Sequence, residues 1–277
     1  MEQHRIEIVK GERFNFGANW RHFLESINDT RIAQATKSIQ DMLNILNLDG
    51  KRLLDAGSGS GLFSLADRKL GAQVVSFDYD PESVACASEL KRRYFGNDKN
   101  WEIMEGSVLS TSFLDRLGKF DIVYSWGVLH HTGDMYLAFD NVAKLVLPGG
   151  SLFVAIYNDQ GILSKYWSFI KRAYNKNIIY RYFIICMHAP YLYGLGFIIR
   201  AMTGRIKQER GMSIWYDIID WLGGYPFETA KPEVVFEHFK KIGFRLERLK
   251  TRGGRMGCNE FVFSLNNNAT DKNQAIS

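Results

Sequence analysis

The stretch that decides the fold is LLDAGSGSGL at residues 53–62. Two leucines lead into Asp55, and glycines then alternate at Gly57, Gly59 and Gly61 before an apolar helical pattern begins. Glycine is needed where the backbone takes unusual angles or where a ligand presses against it. The order therefore predicts a strand, a tight turn and a helix. Such a loop at the carboxyl end of a first parallel strand is the usual ligand crevice of an open α/β sheet.

The glycine spacing excludes two common nucleotide sites. The dinucleotide fingerprint needs glycine or alanine at its third position, which is Leu62 here. No Gly-Lys-Ser/Thr follows, so the stretch is not the phosphate loop of an NTPase. An acid two residues before G-x-G-x-G instead resembles motif I of the class I S-adenosylmethionine (SAM) methyltransferases.

A second acid follows at a matching place. QVVSFD at residues 73–78 predicts the second strand, and Asp80-Pro81-Glu82 carries the residue types that start a helix. An acid at the end of this strand can accept the two ribose hydroxyls of a nucleoside. Asp78 is therefore predicted to bind the ribose of SAM, with Tyr79 beside it.

Later segments extend the resemblance in the expected order. WEIMEGSV at residues 101–108 predicts a third strand and its exit loop, where the family often places an acid against the adenine and this chain has Ser107. FDIVYSWGVLHH at residues 120–131 is similar to the family's F-D-x-V…L-H-H segment. LPGG at residues 147–150 resembles the family turn before a fifth strand, here expected at 151–157. The resemblance covers roughly residues 30–157 and the C-terminal strands.

The resemblance implies a fold and a division of the chain. The fold expected is Rossmann-like α/β, with a seven-stranded, mostly parallel sheet, an antiparallel strand seven, and a helical insertion between strand five and the last helix. The expected divisions are a lid at 1–29, a SAM-binding core at 30–157, a substrate cap at 158–231, a helix and strands completing the core at 232–265, and a disordered tail at 266–277. Residues 1–13 are polar, lack an apolar core, and are expected to be loose and free of a signal peptide.

The same resemblance implies SAM as the cofactor and assigns residues to its site. The expected cofactor-binding residues are Trp20, Asp55, Gly57, Ser58, Gly59, Gly61, Asp78, Tyr79, Ser107, Val108 and Trp126. No metal is expected, because the three cysteines are far apart and show no ligand spacing.

Methyl transfer to a hydroxyl is helped by a general base, and histidine is the usual candidate. His130 and His131 leave the fourth strand at the edge of the crevice, although a histidine at a strand end also serves structural roles. Asp159, just after strand five, is the other candidate. The expected substrate-binding residues are Tyr157, Arg210, Trp221, Tyr225, Asn259 and Glu260.

The insertion concentrates the positive charge of the chain. The whole chain has a formal net charge of +5, yet residues 165–210 hold nine lysines and arginines against one acid. Within them lies the uncharged run YFIICMHAPYLYGLGFII at 182–199. The run is open to three interpretations: a pair of helices around Ala189-Pro190 forming a cap or dimer surface, an element at a membrane interface, or a full membrane span. The basic surface also leaves RNA phosphates as a partner, although no RNA-binding motif is present.

Together these features predict a SAM-dependent methyltransferase that resembles the ubiquinone-pathway O-methyltransferases and acts on a small-molecule, lipid-linked or sugar hydroxyl. An RNA methyltransferase and a non-catalytic SAM-binding protein with the insertion as a platform remain alternatives. Three unpaired cysteines favour the cytoplasm, with peripheral contact at the inner membrane surface or a homodimer as further expectations.

Overall fold

The computed structural model describes residues 2–203 and 214–267. Its centre is a seven-stranded sheet in the order β3-β2-β1-β4-β5-β7-β6, in which β7 runs antiparallel to both of its neighbours. This confirms the expected Rossmann-like sheet. The strands are β1 Arg52–Ala56, β2 Gln73–Asp78, β3 Trp101–Glu105, β4 Phe120–Trp126, β5 Val146–Tyr157, β6 Phe244–Lys250 and β7 Cys258–Leu265. Strand β5 begins at Val146 rather than at Ser151.

Helices cover both faces of the sheet, because the central strands are apolar on both sides. One face packs on α3, α4 and α5, and the other on α7 and α11. The helices are α1 Glu2–Val9, α2 Gly17–Ser26, α3 Asp29–Leu43, α4 Leu62–Lys69, α5 Pro81–Tyr94, α6 Thr111–Leu114, α7 Met135–Lys144, α8 Ile162–Lys176, α9 Ile178–Thr203, α10 Ile214–Gly223 and α11 Pro232–Lys241.

The N-terminal residues are ordered by contacts, so the expectation of a loose segment at 1–13 was wrong. They form α1, whose His4 is buried and lies 3.7 Å from the carboxylate of Asp80. The amide of Gly17, at the start of α2, donates to the same carboxylate at 2.7 Å. A single acid, Asp80 at the N-cap of α5, thus contacts both N-terminal helices.

The insertion is helical, as expected, and is built from α8, α9 and α10. Its buried side chains form a third apolar cluster together with Phe14 from the N-terminal segment. The expected pair of helices around Pro190 is wrong, because α9 is continuous over 26 residues with Pro190 inside it. In the described ranges, no helix reaches the length and hydropathy of a membrane span. Arg210 and most of the expected disordered tail lie outside the described residues.

Candidate active site

The glycine loop forms a close-packed turn between β1 and α4. Gly57 has φ +84°, and a Cβ there would lie 2.4 Å from a Val128 side-chain carbon at the exit of β4. Gly61 has φ +80° and begins α4, where a Cβ would lie 2.8 Å from Ala87. Both positions therefore require glycine, since the left-handed conformation and the lack of space act together.

Asp78 and the glycine loop are joined directly. The carboxylate of Asp78 accepts the amide of Gly59 at 2.8 Å and that of Asp80 at 2.9 Å. Burial raises the pKa of Asp78 to about 6, against the lowering effect of these two backbone donors. The hydroxyl of Ser58 is buried beside it without a hydrogen-bond partner.

The indole of Trp20 covers this loop from the lid side. A Cβ on Gly59 would lie 3.0 Å from its ring, so the tryptophan packs directly on the loop backbone. Three features of the loop suit a nucleoside with a ribose diol. They are the open glycine backbone, the unpartnered buried hydroxyl of Ser58, and the carboxylate of Asp78, which can accept further hydrogen bonds. These residues fit SAM.

The side chain of Asp55 contacts helix α4, and its predicted role at the cofactor stays a prediction. It is almost fully buried, and its carboxylate accepts the hydroxyl of Ser64 from α4 at 2.5 Å. Burial raises its pKa to about 7. Asp67 is buried nearby with neither oxygen hydrogen-bonded, and burial together with the charge of Asp55 raises its pKa well above the usual range.

Four other predicted cofactor residues lie at strand exits, with their polar groups largely engaged by protein. The Tyr79 hydroxyl donates to Glu7 of α1 at 3.1 Å. Ser107 closes its own turn by accepting the amide of Leu109 at 3.2 Å. Val108 is buried. Trp126 ends β4 and packs against the core cluster on the α3 and α4 side.

His130 and His131 lie side by side in a 3₁₀ turn at the exit of β4, with ring centroids 4.4 Å apart. Nδ1 of His131 lies 2.6 Å from the carbonyl oxygen of Pro226. Because a carbonyl only accepts, this nitrogen carries the proton and Nε2 keeps a lone pair. Burial, together with the charges of Lys171 and Arg13, lowers the pKa of His131 to about 3, so the ring is neutral.

His130 has the opposite tautomer. The amide of Tyr157 donates to its Nδ1 at 3.4 Å, so the proton of the neutral ring lies on Nε2, which is buried without a partner. Burial lowers its pKa well below the usual value. Of the pair, His131 is therefore the residue that can accept a proton.

The two histidines face an aromatic cluster of the cap centred on Tyr157. The Tyr157 ring lies 4.0 Å from that of His130 and 5.6 Å from that of Trp221. Phe227 packs 5.2 Å from the same ring. The structure thus brings together Tyr157, Trp221 and both histidines.

Other predicted site residues hold loops in place. Asp159 accepts the amide of Gly161 at 3.0 Å and the hydroxyl of Thr229 at 3.2 Å. The Asn259 side chain bridges the amide of Arg252 and the side chain of Asn158.

The last two predicted substrate residues likewise contact protein. Glu260 is almost buried in β7 and lies 3.5 Å from the Lys250 ammonium. Tyr225 uses its carbonyl oxygen to accept the amide of Phe14 at 2.8 Å. The predicted substrate-binding roles of Asn259 and Glu260 and the predicted catalytic role of Asp159 stay predictions.

Several residues at the site were not found from the sequence. Lys171 and Trp167 come from α8, in which no site residue was predicted. The Glu228 carboxylate accepts the amides of Gly133 and Met135, and so fixes the turn that follows the histidines. The signal that could have revealed Lys171 is a lysine on the apolar face of an amphipathic helix.

The N-terminal segment crosses the crevice and contacts both of its sides. Arg13 donates to the carbonyl oxygen of His131 at 3.1 Å, and the Phe16 ring lies 5.0 Å from that of His131. The Asn19 side chain donates to Asp220 of α10. This position fits the predicted lid.

Comparison with known proteins finds a family that matches the central part of the chain. The family described as "Methyltransferase domain" matches residues 54–154, which run from the glycine loop through β5. Over these residues the chain is therefore similar to methyltransferase domains. The matched segment contains Asp78 and both histidines, whereas the lid and the cap lie outside it.

Curated relatives are similar over part of their length. The chain is 36% identical over 115 residues to a ubiquinone biosynthesis O-methyltransferase of Xanthomonas oryzae pv. oryzae, covering 41% of this chain and 46% of that protein. It is 27% identical over 162 residues to one from Chelativorans sp., covering 57% and 62%. The chain therefore spans about half the length of the curated relatives that it matches.

Solved structures share the fold of the methyltransferase domain over most of the chain. A magnesium protoporphyrin IX methyltransferase from Synechocystis, solved with bound SAM, has a TM-score of 0.53 at 13% identity and covers 90% of both chains. A [4+2]-cyclase also has a TM-score of 0.53 at 13% identity, covering 83% of this chain and 79% of its own. Since a cyclase shares the fold, the reaction must be argued from the site.

Proposed function

We propose that this chain is a SAM-dependent methyltransferase that methylates a hydroxyl group of a small molecule. The observation that carries the proposal is the meeting of two sites at one sheet edge. The Gly59–Asp78 contact forms the cofactor crevice, and His131, with a free lone pair, lies at the neighbouring strand exit. Crevices at this edge are where open α/β sheets bind their ligands.

SAM, when bound, supplies a methyl group already activated on a sulfonium, so the protein mainly orients the reactants, excludes water and removes a proton. Asp78 and the Gly59 loop would hold the nucleoside, and Trp20 would cover it. Nε2 of His131 would accept the hydroxyl proton of the acceptor, while Pro226 fixes the orientation of the ring through Nδ1.

The assay for this proposal detects the mass gain of CH₂. The purified chain is incubated with SAM and with separate polar, lipid and RNA extracts. Methylation of a small molecule, absent in a His131→Asn variant, is expected. Methylation confined to RNA would favour the RNA methyltransferase, and SAM binding without product would favour the non-catalytic alternative.

We further propose that the acceptor is lipid-linked and that the cap docks peripherally on an anionic membrane. An apolar face on α8 and α9 supports this proposal. Its side chains are all more than half exposed, which is unusual for large apolar residues in such number. The apolar face consists of Ile162, Phe169, Ile179, Phe183, Met187 and Tyr191.

The charge around this face fits anionic headgroups. No Asp or Glu occurs between Asp159 and Glu209, and the lysines and arginines of α8 and early α9 other than Lys171 are exposed. Basic groups beside an apolar face are typical of helices that lie in a membrane interface. This pattern supports lipid over RNA as the partner, and our proposal is that the protein acts in the cytoplasm, at the inner membrane surface.

Vesicle co-sedimentation tests the docking proposal. Binding to anionic but not neutral vesicles is expected, and it should weaken between 0.1 M and 1 M salt as the Debye length falls from ~10 Å to ~3 Å. Phe183→Asp should reduce binding, whereas Leu46→Asp, at an exposed leucine outside the cap, should not. No binding, together with a dimer in light scattering, would identify the apolar face as a homodimer surface instead.

A further inference from the structure

Arg13 lies where the N-terminal segment crosses the crevice, and its guanidinium contacts three parts of the chain. Nη1 donates to the carbonyl oxygen of His131 at 3.1 Å. Nε donates to the carboxylate of Glu7 at 2.6 Å, and these two side chains are only 15% and 19% exposed. The guanidinium carbon also lies 4.9 Å from the centre of the Tyr79 ring. One side chain thus reaches the proposed base, helix α1 and the exit of β2.

Glu7 fixes the direction of the Arg13 side chain. One oxygen of its carboxylate accepts Nε of Arg13, and the other accepts the hydroxyl of Tyr79 at 3.1 Å. Burial raises the pKa of Glu7, but the hydrogen bond and the charge of Arg13 outweigh this effect and hold the pKa below its ordinary value. The pair is therefore charged at neutral pH, and charge-assisted hydrogen bonds of this kind are short and strong.

Tyr79 connects these contacts to the cofactor side. It follows Asp78, whose carboxylate accepts the amide of Gly59 in the glycine loop at 2.8 Å. In the proposed function, Asp78 binds the ribose of SAM. The contacts of Arg13 therefore run from the residue beside the predicted ribose site to the backbone of the proposed base.

The contact with His131 complements the one that orients its ring. Nδ1 of the ring is bound to the carbonyl oxygen of Pro226. Arg13 instead binds the backbone carbonyl of His131, which is the last residue of the 3₁₀ turn Leu129–His131. Together the two contacts fix the ring and the backbone. Loss of Arg13 would leave the ring contact in place but release the backbone that carries it.

The charge of Arg13 also acts on the His131 ring. Burial is the main cause of the low pKa of His131, about 3, and the charges of Lys171 and Arg13 contribute to it. Arginine stays protonated in proteins, so its contribution is the same at every working pH. The other ionisable groups around the ring are His130, Tyr157, Asp220 and Glu228.

We propose that Arg13 is a positioning residue for methyl transfer, which holds the turn of the proposed base in place relative to the cofactor side. This inference rests on the proposed function, because it takes His131 as the base and Asp78 as the ribose-binding residue. It gives the N-terminal segment a part in the reaction beyond covering SAM. With the segment docked, Arg13 keeps the backbone of His131 where Nε2 can accept the proton of the acceptor.

The rate of CH₂ gain in the polar and lipid extracts, at saturating SAM, tests the proposal in three variants. Arg13→Gln should lower the rate by about 10–100-fold, because a misplacement of about 1 Å at a reacting group costs up to about 10²-fold. Arg13→Lys keeps the charge but has one ammonium for two partners, so its rate should lie between the two. Arg5→Gln, at an exposed arginine of α1, is the matched control and should behave as wild type.

The pH dependence of the same rate separates positioning from a merely structural role. Transfer needs a neutral His131, so the rate falls at low pH as the ring is protonated. Removal of the Arg13 charge should raise the pKa of His131, so the fall should begin at higher pH in Arg13→Gln. It should stay near the wild-type pH in Arg13→Lys. A lower rate with an unchanged pH profile would overturn the proposal, because Arg13 would then only stabilise the fold.

The remaining outcomes separate this inference from the proposed function. A normal rate in Arg13→Gln, with or without weaker SAM binding in calorimetry, overturns the inference alone. If Arg13→Gln does not fold, the full wild-type rate in Arg13→Lys overturns it. If no extract gains CH₂ with the wild-type chain, the proposed function fails. Titration of the His131 ring by nuclear magnetic resonance then decides the inference: a higher pKa in Arg13→Gln supports the link from Arg13 to His131, and an equal pKa overturns it.

Discussion

The two sides of the crevice bury different kinds of ionisable group, acids on the cofactor side and bases on the cap side. On the cofactor side, Asp55, Asp67 and Asp78 are buried, and desolvation raises the pKa of each. On the cap side, His130, His131 and Lys171 are buried, and desolvation lowers their pKa values.

The physical cause is the same on both sides, since burial favours the neutral form of every ionisable group. The consequence differs. The cofactor side offers hydrogen-bond acceptors that suit a ribose, whereas the cap side holds basic groups whose pKa values are lowered by burial.

The largest expected effect is on the rate of methyl transfer and comes from a substitution on the cap side. His131→Asn keeps a side-chain donor for the Pro226 carbonyl oxygen but removes the ring nitrogen that accepts a proton. Methyl transfer should fall by about 10²–10⁴-fold, while calorimetry shows unchanged SAM affinity. His238→Asn, at a histidine paired with Asp140 outside the site, is the matched control. A normal rate in His131→Asn would show that His131 is not the base, and Asp159 would be the next residue to test.

The next largest effect is on SAM affinity and comes from a substitution on the cofactor side. Asp78→Ala removes the carboxylate that joins the glycine loop to the predicted ribose position, and SAM affinity should fall by about 10–100-fold, from hydrogen bonds of about 1.5–3 kcal/mol each. Calorimetry measures this, with the exposed Asp41→Ala as control. Wild-type affinity in the Asp78 variant would refute the ribose assignment.

The smallest expected effect is on the pH dependence of stability and concerns Asp67 on the cofactor side. The folded pKa of Asp67 is raised above its unfolded value, so its contribution to stability is full at low pH and is lost as pH rises from about 4 through the folded pKa. Asp67→Asn removes this titration. Its free energy of unfolding, relative to wild type, should therefore increase by about 1 kcal/mol per pH unit over that window.

Urea unfolding at several pH values measures the difference, with the exposed Asp41→Asn as control. A pH-independent difference would show that Asp67 is not held protonated in the folded chain. Asp55, whose pKa is also raised, is present in both proteins, so the difference between them reports on Asp67.

The sequence was most informative where one residue type satisfies a backbone requirement. Gly57 and Gly61 have left-handed backbone angles and no space for a Cβ, so their spacing indicated the turn. It was less informative for side chains. Asp55 fits the motif as an acid, yet its bond to Ser64 shows that it fixes a helix.

In the cap, too, the sequence was less informative about side-chain surroundings than about backbone structure. The position of Lys171 on the apolar face of α8 indicates that it is buried but does not identify its surroundings, because Trp221 and Phe227 lie far along the chain. Pro190 predicted a break, but α9 continues through it.

The sequence by itself determined the sheet, the glycine turn, the position of Asp78 and the two histidines, because each depends on local backbone geometry or on strand order. Only the tertiary structure decided the tautomers of His130 and His131, the contact of Asp55 with Ser64 and the burial of Lys171. These features depend on which distant groups share a buried, low-dielectric space, and such contacts are created when the cap and the N-terminal segment fold onto the sheet edge.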